Sequence, residues 1–258
     1  MTNPPFDIIG AQRPARWLVT CDHASNHVPA DVAGGDLGLP PQDMARHIAY
    51  DIGAAGVTRH LSRLLDAPAI LSGFSRLVID PNRGDDDPTI MMRLYDHTIV
   101  PANRHADDAE RQRRIAAYWR PYHDAYEKLA ARRPDTVICA VHSYTPQLRG
   151  RPRRPWQVGI LSAWDRRLAD PVIASLSADQ DLAAATQRET GERWVVGDNQ
   201  PYPGHLPGDA IDQHALRHGR PNILIELRHD LIDTEAGQQL WAERLAPHLA
   251  AALETLPD

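Results

Sequence analysis

The 258-residue chain has only two cysteines, Cys21 and Cys139, each at the end of an apolar run. That is too few for a disulfide framework, and a reduced, cytoplasmic protein with two core thiols is the simplest account. Excess positive charge is also missing: 28 Lys and Arg stand against 34 Asp and Glu, a formal net charge of −6. Such a chain has no global attraction for phosphate backbones or anionic bilayers, which argues against nucleic-acid and membrane partners. Its one locally basic stretch, Arg149 to Arg154, contains prolines and no interleaved aromatics, and reads as a solvated loop. No apolar run approaches the roughly 20 residues of a membrane span. The opening Met1-Thr2-Asn3-Pro4-Pro5 lacks the basic and apolar regions of a signal peptide. Linkers, repeats and low-complexity tracts are lacking too, so one domain over residues 1–258 is expected. Oligomeric state is not set by the sequence. Finally, Ala24-Ser25-Asn26 is not a nucleophile elbow and no Cys-His pairing stands out, which disfavours serine or cysteine hydrolase chemistry.

What is present is an ordinary globular composition, 42% hydrophobic and 24% charged, with 22 prolines that imply many firm turns around the core. Apolar runs that read as strands cover Arg16–Cys21, Ala67–Leu71, Arg76–Asp80, Thr136–Val141, Trp156–Trp164, Arg193–Val196 and Asn222–Ile225. Helical spacing is expected from Met44 to Leu65 with a break near Gly53 and Gly56, from His105 to Arg133 with a kink or restart at Pro121, from Pro171 to Thr186, and from Asp233 to Leu256. The alternation predicts an α/β fold with a mixed, mostly parallel sheet flanked by helices.

Three apolar strands deliver chemistry at their ends. Cys21-Asp22-His23 follows the first, His142-Ser143-Tyr144 the central one, and Glu226-Leu227-Arg228-His229 the last. Ligands bind outside the carboxyl ends of such strands. Two imidazoles and an acid at converging strand ends suit a catalytic metal site with a base beside it. Any one of these histidines alone is more often a hydrogen-bonding surface residue; their equivalent topological positions favour the site.

The segments CDHASNHVP, SRLVIDPNR, VHSYTP, NQPYPG and ILIELRHDLI, in order from about residue 15 to 232, resemble the N-formylglutamate amidohydrolase family. That family is similar to the zinc exopeptidases, the phosphorylase/hydrolase-like fold that zinc carboxypeptidases share with the aspartoacylase and succinylglutamate desuccinylase group. The resemblance implies a metal-dependent amidohydrolase, with a divalent ion such as zinc, acting on a small N-acyl and especially N-formyl amino acid such as N-formylglutamate, in histidine breakdown. It implies His23 and His142 as metal ligands, with Asn26 at the position of the family's ligand carboxylate. Asn26 lacks the charge of that carboxylate, so Asp22 or Asp51 is left to supply it, Asp51 equally as a partner orienting a ligand imidazole. It further implies Glu226 as general base, Arg76 at the oxyanion, and Asn82 with Arg83 on the substrate carboxylate. Arg228 reaches substrate or pairs with Glu226; His214 and His229 are rim candidates or structural. The alternatives are a deacylase or peptidase of the same fold acting on another small carboxylate, and a metal-free binding protein that keeps the pocket, a reading the asparagine invites.

Overall fold

The structure is a computed structural model, and it describes residues 4–257; Met1–Asn3 of the opening segment lie outside them. In chain order it runs β1 (Phe6–Ile9), β2 (Trp17–Cys21), α1 (Pro41–Met44), α2 (Ala54–Leu64) and β3 (Ala69–Ser72). A hairpin of β4 (Leu94–Tyr95) and β5 (Thr98–Ile99) leads to α3 (Pro101–Arg104), α4 (Asp108–Arg114) and α5 (Arg120–Ala130). Then come β6 (Val137–Tyr144), β7 (Val158–Leu161), α6 (Ala169–Ala178), α7 (Gln180–Thr190), β8 (Val196–Asp198), α8 (Ala210–His214), β9 (Asn222–Arg228) and α9 (Glu235–Leu253).

Seven strands form one sheet in the order β1-β3-β2-β6-β9-β7-β8. The pairs β2/β3, β2/β6, β6/β9 and β7/β8 are parallel, while β1/β3 and β7/β9 are antiparallel, so the sheet is mixed and mostly parallel as expected. β6 lies between β2 and β9, and all eight of its residues are buried, which is why it reads as an unbroken apolar run. Alternate side chains enter different cores. Trp17, Val19, Cys21, Val137, Cys139 and Val141 face the layer built with α2, α6 and α9; Leu18, Ile138 and Ala140 face the layer built with α5. By the same period of two, His142 continues the Ile138–Ala140 face, and its register partner on β9 is Glu226.

Several expected boundaries shift. The segment from Arg76 to Asp80 is not a strand: the Ser75 carbonyl accepts from Val78 N at 2.9 Å and its hydroxyl from Leu77 N at 3.2 Å, curling the chain into a turn. It stays buried because distant side chains serve its carbonyls. Asn103 Nδ2 donates to Leu77 O at 2.7 Å, and the buried Arg114 donates to Val78 O at 3.0 Å. The long helix is α4, a π turn over Ile115–Trp119, and α5, with Pro121 just past the point where the hydrogen-bond pattern changes from π to α. The helix expected over 171–186 is two, broken at Asp179, whose side chain caps α7 through Leu182 N. The edge strand β1 was not anticipated; its middle residues are exposed, which weakens its apolar signal.

The break at Gly53 is fixed by contact. Its φ of +79° lies in the left-handed region, and a Cβ there would come within 2.0 Å of Ile232 O. This tight passage lets the chain turn from Asp51 into α2 beneath α9, holding Asp51 at the sheet's edge.

Candidate active site

His23 stands just past β2, His142 near the end of β6, and Glu226 near the end of β9, all buried. Asp51 is added from the turn before α2, where its N–H donates to His23 O at 2.9 Å. Its Oδ2 lies 2.9 Å from His142 Nδ1 and 3.3 Å from His23 Nδ1. The opposite nitrogens meet other carboxylates: His23 Nε2 is 2.7 Å from Asp80 Oδ1, and His142 Nε2 is 3.3 Å from Asp22 Oδ2. Asp22 is fixed in turn by the Tyr122 hydroxyl of α5, which donates to its Oδ1 at 2.6 Å.

Electrostatics follow from this crowding in a dry site. Burial alone would raise Asp51, but the charges and hydrogen bonds of His23 and His142 hold it below the usual carboxylate range. Asp80 is likewise lowered against burial, chiefly by Arg76. Glu226 has fewer compensating partners. Burial, reinforced by Asp51, pushes it up to about 8, and its Oε2 has no hydrogen-bond partner among the described residues.

His23, Asp51 and His142 each offer one ligand atom, all within 4.8 Å of one another. Proton counting tests whether a cation fits there. Both Nδ1 atoms face the one Asp51 oxygen, and His23 can donate to Asp51 and Asp80 together only by carrying two protons and a charge, while His142 Nε2 and Asp22 Oδ2 stand 3.3 Å apart with no hydrogen bond between them. With a cation at the three ligand atoms, each Nδ1 would give a lone pair and His23 Nε2–H would still donate to Asp80, so neither ring would need a charge. Two imidazoles and one carboxylate with the rest of the coordination left open are the donor set of a catalytic zinc site. The residues fit the ion.

The structure brings together His23, His142, Glu226, Arg76, Asn82 and Arg83 around one cavity of about 240 Å³. Arg76 is anchored by Asp80 Oδ2 at 2.8 Å and lies 3.6 Å from Asp51 Oδ1, with its guanidinium over the Tyr95 ring. Asn82 N donates to Asp80 Oδ1 at 2.9 Å, so one carboxylate organises the histidine, the arginine and the Asn-Arg pair. Two expected residues are placed elsewhere. Asn26 is exposed and donates to Met44 O at 3.0 Å; Asp51 stands where the charged ligand was needed. Arg228 is buried but pairs with Glu192 and with Asp230 (2.8 Å to its Oδ1), not with Glu226, and does not line the cavity. His214 is structural, bonded to His123 at 2.7 Å and Glu127 at 3.0 Å, while His229 borders a neighbouring surface groove. Residues not singled out from sequence also line the cavity: Tyr95, Tyr202 and Asp209. Tyr202 lies in the NQPYPG segment and Asp80 in SRLVIDPNR, so both were in view without a role; nothing in the sequence pointed to Asp209.

Residues 15–233 match the family model described as N-formylglutamate amidohydrolase. The crystal structure of a gene product from Agrobacterium tumefaciens is 32% identical, with a TM-score of 0.85 and coverage of 98% of this chain and 96% of that one. That of N-formylglutamate amidohydrolase from Ralstonia eutropha is 23% identical, with a TM-score of 0.68 over 97% of this chain and 98% of that one, a likeness of fold. A putative carboxypeptidase A from Shewanella denitrificans matches at 13% identity and a TM-score of 0.39, over 98% of this chain and 61% of that one. No curated protein sequence matches the chain. Among the described residues, no helix is long and apolar enough to cross a membrane.

Proposed function

Because the chain belongs to the N-formylglutamate amidohydrolase family, hydrolases acting on amides, we propose that it is a metal-dependent amidohydrolase cleaving the acyl amide of a small N-acyl, and specifically N-formyl, amino acid. The observation that carries this reading is the cluster of His23, Asp51 and His142 in one cavity with Glu226 and two guanidinium groups. Bound there, a divalent ion such as zinc would supply Lewis acidity, polarising the amide carbonyl and acidifying a water.

The chain's own residues supply the rest. Glu226 takes the proton of the attacking water at its unpartnered Oε2 and returns it to the leaving nitrogen. Arg76, immobilised by Asp80, directs a cationic donor at the carbonyl oxygen as charge develops on it. Arg83 receives the substrate carboxylate with its planar fork, and Asn82 adds a donor from Nδ2, its Oδ1 being occupied by Ala210 N at 3.2 Å. With Asp51 beside both imidazoles, the asparagine at position 26 gives no reason to read the chain as a metal-free binding protein.

The test is formate release from N-formyl amino acids by zinc-loaded protein, beside N-acetyl and N-succinyl counterparts and the His142→Ala variant. Formate release that disappears with the metal in His142→Ala supports the reading. Cleavage of only the longer acyl groups would make the chain a deacylase of the same fold, and zinc-loaded protein inert on every substrate would refute the hydrolysis.

A further inference from the structure

His123 and His214 are buried and do not line the cavity, yet a chain of contacts joins them to the loop that carries Asp80, Asn82 and Arg83. His123 Nε2 is 2.9 Å from Pro81 O in that loop. His123 Nδ1 is 2.7 Å from His214 Nε2, and His214 Nδ1 is 3.0 Å from Glu127 Oε2. The ring centroids of the two histidines are 5.0 Å apart, which the N···N distance plus one ring radius on each side accounts for. The facing nitrogens therefore point straight at each other, the geometry of an N–H···N hydrogen bond and not of stacked rings. The same loop is held at Arg83 O by Trp119 Nε1, at 2.9 Å, and at Asn82 Oδ1 by Ala210 N, at 3.2 Å.

Counting protons along this chain fixes its charge. A carbonyl only accepts, and so does Glu127: against burial, its hydrogen bonds to Arg220 and His214 lower it to about 2. Both outer nitrogens must therefore donate, and the facing pair needs a third proton between them. Two neutral imidazoles carry only two, so the pair holds one positive charge. The surroundings suit one charge, since the ring of Tyr126 lies 4.1 Å from His214 and that of Trp119 4.0 Å from His123, aromatic faces that attract a cation. They do not suit two: burial and the charge of its neighbour push His123 down to about 3, and burial lowers His214 against the pull of Glu127. The other groups facing the pair are Tyr122 of α5, Asp22 past β2, and Arg220 and His218, both beside Glu127. If the third proton leaves, Glu127 keeps His214 Nδ1–H, because a charged acceptor binds a donor more strongly than a carbonyl does. The remaining proton stays between the facing nitrogens, and His123 Nε2 turns a lone pair toward Pro81 O.

We propose that His123 and His214 are positioning residues for the substrate: they share one buried proton, and while it is present His123 fixes Pro81 and, with it, the grip of Asn82 and Arg83 on the substrate carboxylate. Once the proton is lost at alkaline pH, the lone pair repels the carbonyl, the loop shifts and the carboxylate is held less tightly. This rests on the reading of Asn82 and Arg83 as the carboxylate site and adds to it a proton that touches neither the substrate nor the proposed metal ligands. The grip thereby depends on pH separately from Glu226 and from any metal-bound water.

Nitrogen NMR of the histidine-labelled, zinc-loaded full chain at about pH 7 counts the protons, with signals assigned from His123→Phe and His214→Gln. Both outer nitrogens are expected to be protonated, with one further proton coupled to both facing nitrogens. Calorimetric titration with N-formylglutamate at about pH 6.5 and about pH 9.5 then reads the grip, in a Glu226→Gln parent that removes turnover and the titration of that carboxyl. Formate release by the zinc-loaded native chain is followed in parallel, and thermal midpoints verify folding. A glutamine at position 214 donates its amide N–H to His123 Nδ1 and fixes the neutral ring with Nε2–H on Pro81 O. From the lower to the higher pH the parent should lose about ten-fold more affinity than His214→Gln, the scale of one hydrogen bond to a charged group, and His123→Phe should bind about ten-fold more weakly than the parent at the lower pH. Only two protons on the two rings at about pH 7 would overturn the proposal. Binding of N-formylglutamate to none of these proteins would refute the substrate reading and this inference with it. Formate release by the native chain, with parent and His214→Gln alike in their pH dependence, would overturn this inference alone. The shared proton and the difference between the two proteins, without formate from the native chain, would leave it standing and refute the hydrolysis.

Discussion

His23 Nε2 lies 2.7 Å from Asp80 Oδ1, and both side chains are buried, so the imidazole is oriented with its Nδ1 turned toward Asp51. Asp80 also holds Arg76 and the backbone N–H of Asn82. Replacing it should therefore disturb metal and substrate grips together. Asp80→Ala is expected to lower zinc affinity by about 10–100-fold, the usual effect of losing the outer partner of a ligand histidine. Competition with a chromophoric chelator measures it, and unchanged affinity would show that Asp80 orients nothing.

The identity of the charged ligand separates two variants. Asp51→Ala removes the oxygen between the two Nδ1 atoms and should abolish stoichiometric zinc, whereas Asn26→Ala removes only an exposed contact to Met44 O and should leave zinc content intact. Elemental analysis of both purified proteins decides it. The reverse result would restore Asn26 as ligand.

Glu226→Gln keeps the shape of the side chain and removes its basicity. The expected outcome is retained zinc with kcat reduced by about 10²–10⁴-fold, the range for a lost general base, and KM changed much less. Steady-state kinetics on the best N-formyl substrate reads this directly. A large rise in KM at unchanged kcat would make Glu226 a substrate-binding group.

How much of this could be read from the chain depends on where each residue's partners lie. β6 announced itself because burial on both faces demands a continuous apolar run, and the polar residues ending β2, β6 and β9 were conspicuous for that reason. Parallel pairing of β6 with β9 then sets His142 opposite Glu226, a register visible only in the structure. The segment around Leu77 to Ile79 misled because its side chains bury as a strand's would, while its carbonyls are served by Asn103 and Arg114, far along the chain. Asp51 stayed one of several candidates because its contact with His142 spans 91 residues. Asn26 attracted the ligand role through its spacing from His23, but the turn after β2 carries it outward.

Both thiols should be inert in the folded protein. Cys21 and Cys139 are fully buried; burial raises Cys21 well above its ordinary value and pushes Cys139 up to about 12, so the reactive thiolate is scarce. A chromogenic disulfide reagent at pH 8 should titrate neither cysteine natively and both in denaturant. Rapid native reaction of either would place it outside the core.

Asp209 ties the stability of the fold to pH through its titration. Its folded-state pKa, raised by burial to about 6, exceeds the ordinary value of 3.8, so between these two values the folded protein holds the proton more tightly than the unfolded chain. Stability from this group is thus full below about pH 4 and is lost as pH rises through 6, a cost on the order of 3 kcal/mol at neutral pH. Asp209→Asn has no such titration and keeps the cap on α8. It should be more stable than the native protein at pH 8, with the difference shrinking toward zero near pH 4. Urea unfolding at the two pH values measures both differences. A variant less stable at pH 8 would mean that the carboxylate is compensated within the folded chain.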